Sequence, residues 1–241
     1  MGTSTNYDAP PQWKTLKGNV TRWARQGAFT PAKAERLLGD FVRSAGGSAA
    51  IAAGGGTLNS SRAGQRVARS VAGFISSVAG RGLPETLRAF GLESLEGKSL
   101  TEIRLYLVDQ LGGPSSTIDD VDARSALSML MDELLSEAET PEDVERILVG
   151  VATGENLDRL LSRFFAYYVY EQFCRVFYAR LVERHGEAQA EDFLRDIQDY
   201  IMSCIERIAR MANVLQIDWN GQEGHAVIAR IHEDTLDVFG G

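Results

Sequence analysis

The chain has 241 residues, of which 44% are hydrophobic, and this is typical of a globular protein of one large or two small domains. Its net charge of −8 is unevenly divided: residues 1–90 carry 12 Lys and Arg against 4 Asp and Glu, and residues 91–241 carry 13 against 29. Two cysteines are too few for a disulfide framework, and no secretory signal or long apolar run is visible, so we expect a cytoplasmic protein that does not enter a membrane.

The charge division suggests three parts of the chain. We predict a flexible tail at residues 1–11, a basic helical part at residues 12–91 and an acidic helical bundle at residues 92–241. The basic part could face an acidic partner, a nucleic acid or the chain's own acidic half. The alternative is that the two parts are solvated surfaces of opposite sign.

The first helix is predicted at residues 12–26, directly after the tail. It contains two tryptophans, Trp13 and Trp23. These side chains either anchor the helix to the rest of the protein or stack on the bases of a nucleic acid. We favour the anchor, which is the commoner role of tryptophan in a helix of a globular protein.

A second helix and a loop follow. Thr30 places a capping hydroxyl before Pro31, and proline is tolerated at the first helical position because its missing N–H needs no partner there. Apolar residues at helical spacing continue until Gly46. Residues 45–61 are rich in Gly, Ala and Ser, and we interpret them as a flexible loop with at most one turn.

The next helix combines an apolar face with three arginines. Arg62, Arg66 and Arg69 lie mostly off the face that the apolar residues form. We therefore predict that the arginines belong to a basic partner surface rather than to the folded core. The alternative is that they pair with the acidic half of the chain. The apolar face consists of Val67, Val71, Phe74, Ile75 and Val78.

Helix signals continue through the acidic part. Ser99 and Glu102 form an S-x-x-E capping box. Three aspartates lie in the first turn of a later helix, where their negative charges interact favourably with the helix dipole and indicate a helix N-terminus. The pattern has no sustained period of two, so we predict an all-α, multi-helix bundle. Further helices are predicted at residues 118–138, from residue 141, and at residues 155–185, 187–213 and 224–237, with the aspartates at Asp119, Asp120 and Asp122.

The helix at residues 155–185 is unusually aromatic. Eight aromatic side chains lie between Phe164 and Tyr178. They form two adjacent stripes, which is typical of a central helix packed on two sides. We interpret them as core, although a cofactor-binding aromatic cluster has the same composition.

Motifs for catalysis and cofactor binding are missing from the sequence. The glycine-rich segments lack the Lys of a phosphate-binding loop, and no strand precedes them as a dinucleotide fingerprint requires. His225 and His232 lie two helical turns apart on one predicted face, but no further metal ligands accompany them. We therefore predict that the protein is not an enzyme and binds no metal or cofactor.

Six segments carry a resemblance to a known family. They are MGTS at the start, SAGG, SSRAGQRVARSVAGFISSVAGRG, LPETLRAFGLESLEGKSLTEIRLYLVDQL, SSTIDDVDAR and, near the end, QIDWNGQEG. Together they resemble the QatB proteins of bacterial Qat anti-phage defence systems, over most of the chain. One departure is the stretch from Tyr7 to Trp13, which is short where the family is expected to have a longer Gly/Pro-rich run.

The resemblance implies a partner protein in antiviral defence rather than an enzyme. Qat operons also encode an ATPase, the QueC-like enzyme QatC and a TatD-like nuclease, and these are the partners it implies. QueC-like enzymes activate the carboxylate of a deazaguanine base with ATP. In related systems such an enzyme is thought to join the base to the N-terminal amine of a companion protein, and the resemblance implies that this chain is the companion.

Gly2 is then the expected modification site. Glycine is small enough for Met1 to be removed, which exposes its α-amine. An α-amine of pKa about 7.7–8 is roughly 10–20% neutral at pH 7, a far larger neutral fraction than that of a lysine. N-myristoylation is the rival, but its motif requires Ser or Thr where the chain has Asn6. The expected contacts in the partner's groove are Gly2, Thr3, Ser4, Thr5 and Asn6.

Two alternatives remain from the sequence. The protein could be a nucleic-acid-binding adaptor that uses its basic part, including Arg62, Arg66 and Arg69, to neutralise phosphates. It could also be a scaffold that recruits the ATPase and the nuclease without being modified.

Overall fold

The computed structural model describes residues 11–26, 30–55, 61–92, 94–205 and 216–239. Within these ranges the chain forms eleven α-helices and no β-strand, so the predicted all-α fold is confirmed. The predicted tail at residues 1–11 lies outside the described residues, apart from Pro11, which begins the first helix. The helices are α1 (Pro11–Gln26), α2 (Pro31–Ala45), α3 (Ser48–Ala52), α4 (Arg62–Arg81), α5 (Leu83–Ala89), α6 (Leu100–Gly112), α7 (Ile118–Leu134), α8 (Pro141–Val151), α9 (Gly154–His185), α10 (Glu187–Ile205) and α11 (Gln222–Asp237).

The helix N-termini follow the capping residues in the sequence. The side chain of Thr30 accepts a hydrogen bond from the first turn of α2. Ser99 forms the predicted capping box with Glu102 at the start of α6. Thr117 and Thr140 form equivalent boxes at α7 and α8, with aspartate in place of glutamate. These local hydrogen bonds satisfy backbone N–H groups that have no partner within the helix.

Helix α9 runs through the centre of the protein. It packs against α1, α4, α7, α8, α10 and α11. Phe165, Tyr168 and Phe173 on this helix are completely buried, and Phe173 packs against Phe41 of α2 with 5.3 Å between ring centroids. The aromatic residues of α9 are therefore core residues, as predicted.

Two hydrophobic clusters meet along α9. The first contains side chains of α4 to α8, the N-terminal half of α9 and part of α11. The second contains α1 to α3, the C-terminal half of α9, α10 and the end of α11. Helices α4 and α5 thus pack with α6 to α8, on both sides of the boundary predicted near residue 91. The division of the chain into a basic part and an acidic part stays a prediction.

Trp13 and Trp23 belong to the second cluster. Each side chain is 8% exposed, and the ring of Trp13 meets Phe41 edge-on. Both tryptophans are therefore anchors for α1, which confirms the interpretation favoured from the sequence over base stacking.

Part of the segment predicted as a loop is helical. Within residues 45–61, α3 forms one short helix that packs against α11. Ile51 and Ala52 are buried, and the side-chain amide of Gln65 donates a hydrogen bond to the carbonyl of Ala52. Small residues allow α3 to approach its neighbours closely. Residues 56–60 of the predicted loop lie outside the described residues.

The two histidines of α11 occupy different environments despite their helical spacing. His225 is exposed in the first turn, whereas His232 is completely buried and stacks on Phe165 with 4.3 Å between ring centroids. Burial lowers the pKa of His232 to about 3, so the ring is neutral at physiological pH. The two residues lie seven positions apart on one continuous helix, as predicted, but His225 lies at its solvated end and His232 lies in the core.

Candidate functional site

The tail residues singled out by the sequence lie outside the described structure. They are Gly2, Thr3, Ser4, Thr5 and Asn6. The other predicted site, at Arg62, Arg66 and Arg69, lies on α4 and is fully described.

The three arginines occupy one side of α4 but have different environments. Arg62, at the first position of the helix, is exposed, whereas Arg66 and Arg69 are half-buried. Positions three and four apart are neighbours on a helix surface, so the guanidinium groups lie within reach of one another. Only the middle arginine has a charged partner among the described residues.

Arg66 pairs with a carboxylate of the acidic half. Its Nη2 lies 2.9 Å from Oδ1 of Asp120, whose side chain is only 6% exposed. The same nitrogen lies 3.5 Å from the carbonyl oxygen of Gly112. For this one arginine the geometry favours pairing with the acidic half, which the sequence left open beside a partner surface.

Asp120 is held in place by the start of α7. Its Oδ2 accepts hydrogen bonds from the backbone N–H of Thr117 at 2.8 Å and from the backbone and hydroxyl of Ser116 at 3.1 Å. Burial alone would raise the pKa of Asp120, but the bonds from Arg66, Thr117 and Ser116 outweigh it and hold the pKa well below its usual range. The carboxylate is therefore ionised at neutral pH and opposes Arg66 as a full charge.

Asp119 ties α7 to both α4 and α9. Its Oδ2 accepts a 2.9 Å hydrogen bond from the backbone N–H of Ala63, and its Oδ1 accepts one from the hydroxyl of Tyr168. It therefore caps the N-terminus of α4 from another helix. Burial raises the pKa of Asp119, and the bonds from Tyr168 and Ala63 oppose that rise.

A glycine of α4 makes room for this arrangement. A Cβ added to Gly64 would lie 2.5 Å from the ring of Tyr168, closer than a carbon contact allows. The Tyr168 ring is also stacked parallel to Phe164, with 6.2 Å between centroids. Glycine at position 64 thus lets α4 lie directly against the Tyr168 ring that carries the hydrogen bond to Asp119.

Arg69 differs from Arg66 in having no counter-charge among the residues that the structure describes. Burial, together with the nearby Arg66, lowers the pKa of its guanidinium. Neither a hydrogen bond nor an ion pair is found for it, or for Arg62, in the part of the chain that the structure describes. An arginine stays protonated even so, because its ordinary pKa is far above neutral. Both residues therefore present full positive charges.

An open groove lies at the junction of α4 and α7. Its volume is about 540 Å³. Arginines form one wall, and the start of α7 forms the other, where Ile118 is 58% exposed. The groove joins cations, hydroxyl groups and an apolar side chain. Its lining is Arg62, Ala63, Arg66, Pro114, Ser116, Thr117, Ile118, Asp119 and Asp120.

Several residues of this junction could not be singled out from the sequence. Asp119 and Asp120 were predicted only to favour the helix dipole, and Gly64 and Tyr168 carried no signal beyond their helical positions. The capping pattern of Thr117 with Asp120 was a possible signal, because an aspartate three residues after a threonine forms a capping box.

A comparison with protein families identifies the class of protein that carries this fold. Residues 53–239 match the family described as QatB, Qat anti-phage system associated protein QatB. The match covers more than three quarters of the chain, and the chain belongs to the QatB family. This membership supports a role in anti-phage defence. The tail and helices α1, α2 and α3 precede the matched segment.

The other comparisons add no relatives. No curated protein and no solved structure shows significant similarity to the chain. Among the described residues, no helix combines the length and the apolarity needed to cross a bilayer.

Proposed function

We propose that the protein is a non-enzymatic, cytoplasmic component of a Qat defence system whose N-terminal amine is modified by the QueC-like enzyme QatC. Membership of the QatB family carries the proposal, because it supports a role in Qat defence and partners within that defence system. The opening residues Met1 and Gly2 supply the chemistry, with Met1 taken as the initiator residue.

The proposed reaction is amide formation at Gly2. The enzyme joins the carboxylate of a deazaguanine to AMP from ATP, releasing pyrophosphate. The neutral amine of Gly2 attacks the acyl carbon, a C–N bond forms, AMP leaves, and the amine loses a proton to a base. The α-amine suits this step because its pKa of about 7.7–8 leaves a useful neutral fraction at pH 7.

Residues after Gly2 position the amine in this proposal. Thr3, Ser4, Thr5 and Asn6 have short polar side chains that can follow an extended groove and form hydrogen bonds there. In this proposal helix α1, which Trp13 and Trp23 anchor to the helical body, connects that body to the tail that the enzyme binds.

The test is a reconstituted reaction. The purified chain, with Met1 removed, is incubated with the QueC-like enzyme, ATP and a carboxylated deazaguanine, and the tail peptide is analysed by mass spectrometry. We expect the adduct on Gly2 and no adduct when a tag remains fused ahead of Gly2. An adduct on Lys14 or Lys17, or equal labelling of the blocked protein, would contradict the proposal.

A further inference from the structure

Helix α4 carries two cations without a counter-charge on its outward side. Arg62 is exposed and Arg69 is half-buried, and in the described ranges neither has an ion-pair partner. Arg66, which lies between them, is already neutralised by Asp120 at 2.9 Å. A half-buried cation beside a second one is unfavourable until an anion approaches, so this side of α4 is electrostatically suited to a negatively charged group.

The groove at the start of α4 indicates which kind of negatively charged group would fit there. Arg62 and Arg66 line it together with the hydroxyl-bearing Ser116 and the exposed Ile118. Two carboxylates, Asp119 and Asp120, also line it, but they are nearly buried and already bonded within the protein. This combination suits a carboxylate next to an apolar side chain, as occurs in an acidic peptide. The groove is open to solvent along its length, so it suits an extended segment better than an enclosed small molecule.

Further along the same side, α4 leaves space for a backbone. A Cβ added at Gly73 or Gly80 would meet no heavy atom within 4 Å. These glycines line a second shallow groove with Ser77 and Trp219. Glycine is less favourable than alanine inside a helix, and unlike Gly64 these two have no internal contact that requires it. A segment bound at Arg62 and Arg69 can therefore continue close to the helix.

We propose that this side of α4 binds an extended acidic segment of a partner protein, whose carboxylates pair with Arg62 and Arg69. A nucleic acid is the other polyanion to consider. Strong binding through phosphates uses about 6–10 contacts, whereas this face has two arginines without a charged partner among the described residues. A short segment with a few carboxylates fits these charges better.

The test is a binding titration with a defined probe. A fluorescein-labelled peptide in which Glu alternates with Ser is titrated with the full chain at low salt, and fluorescence polarisation is measured. The variant R62E/R69E is compared with R36E/R88E, which reverses two exposed arginines on α2 and α5 and changes the net charge equally. Arg66 is left in place because its reversal would face Asp120 and disturb the fold.

We expect R62E/R69E to bind the peptide at least about tenfold more weakly than the parent, as charge-assisted contacts are lost, and R36E/R88E to bind nearly as well as the parent. Circular dichroism establishes that both variants are folded. Gly73→Leu, which keeps the charge, also weakens binding by filling the space beside the helix.

Three results would overturn the proposal. The first is no measurable binding of the peptide to the parent. The second is an equal loss in the two charge-reversal variants, which would show a general charge effect. The third is tighter binding of a single-stranded oligonucleotide of the same charge, lost in R62E/R69E, which would assign the face to nucleic acid.

Discussion

The inward and outward sides of α4 differ in whether their groups have contacts and partners within the described part of the protein. On the inward side, Gly64 meets the ring of Tyr168, and the N–H of Ala63 meets Asp119. On the outward side, Arg69 has no counter-charge among the described residues, and a Cβ added at Gly73 would meet no heavy atom within 4 Å. One side of α4 therefore contributes to folding, and the other side is the one that we propose for recognition.

Replacement of Asp119 should have the largest effect on the inward side. Asp119→Ala removes the cap on α4 and leaves the hydroxyl of Tyr168 buried without a partner. We expect a loss of about 3–4 kcal/mol in the free energy of unfolding, measured by urea denaturation. The control is Asp109→Ala, which removes an exposed partner of Arg124 and should cost less than about 1 kcal/mol. Equal midpoints for the two variants would show that Asp119 does not join the helices.

A methyl group at Gly64 should be the next most disruptive change. Gly64→Ala places a Cβ against a Tyr168 ring that is held by Phe164 and Asp119, so the ring cannot move freely. We expect a loss of about 2–3 kcal/mol in thermal or urea denaturation. A variant as stable as the parent would mean that α4 and α9 are farther apart than described.

Removal of Arg66 should cost less, because this side chain is partly exposed. Arg66→Ala leaves Asp120 ionised with its charge unpaired, and we expect a loss of about 2 kcal/mol at neutral pH. The pKa of Asp120 is lowered in the folded state, so its pair contributes stability above the ordinary pKa of about 4 and loses it as the pH falls further. The gap between parent and variant should therefore shrink in acid. A gap that stays constant to low pH would contradict an ionic role.

The smallest predicted effect has the opposite sign. Gly73→Ala adds a methyl group where no atom lies within 4 Å, and alanine is the better helix former. We expect a gain of about 0.5–1 kcal/mol by urea denaturation. Gly73→Ala and Gly64→Ala make the same chemical change in the same helix, so opposite signs would confirm the comparison directly. Destabilisation by both substitutions would contradict the difference between the two sides of α4.

The local parts of this structure could be predicted from the sequence, and the long-range parts could not. Capping at Thr30 and at Ser99, and the apolar face of α4, depend on residues within two turns of each other. The bond between Ala63 and Asp119 joins residues 56 positions apart, and no periodicity encodes it. The sequence therefore predicted most of the helices, although not α3, and it did not predict which elements bury the inward side of α4.

The same limit applies to the candidate sites. The spacing of Arg62, Arg66 and Arg69 predicted one basic side. Charge alone could not show that, within the described ranges, Arg66 has an ion-pair partner and Arg69 has none. Gly2 and the tail residues after it, to Asn6, lie outside both the matched segment and the described structure. The hypothesis that Gly2 is modified is therefore tested by mass spectrometry of the protein and its tail peptide.

The central claim of this account is that the chain is the modified partner in a Qat defence system. The most direct measurement is its intact mass after expression alone and after expression with its operon neighbours. The account predicts an added mass of one deazaguanine acyl group only in the presence of an active QueC-like enzyme, lost when the amine of Gly2 is blocked. An unchanged mass under both conditions, with the partners present and active, would contradict the claim.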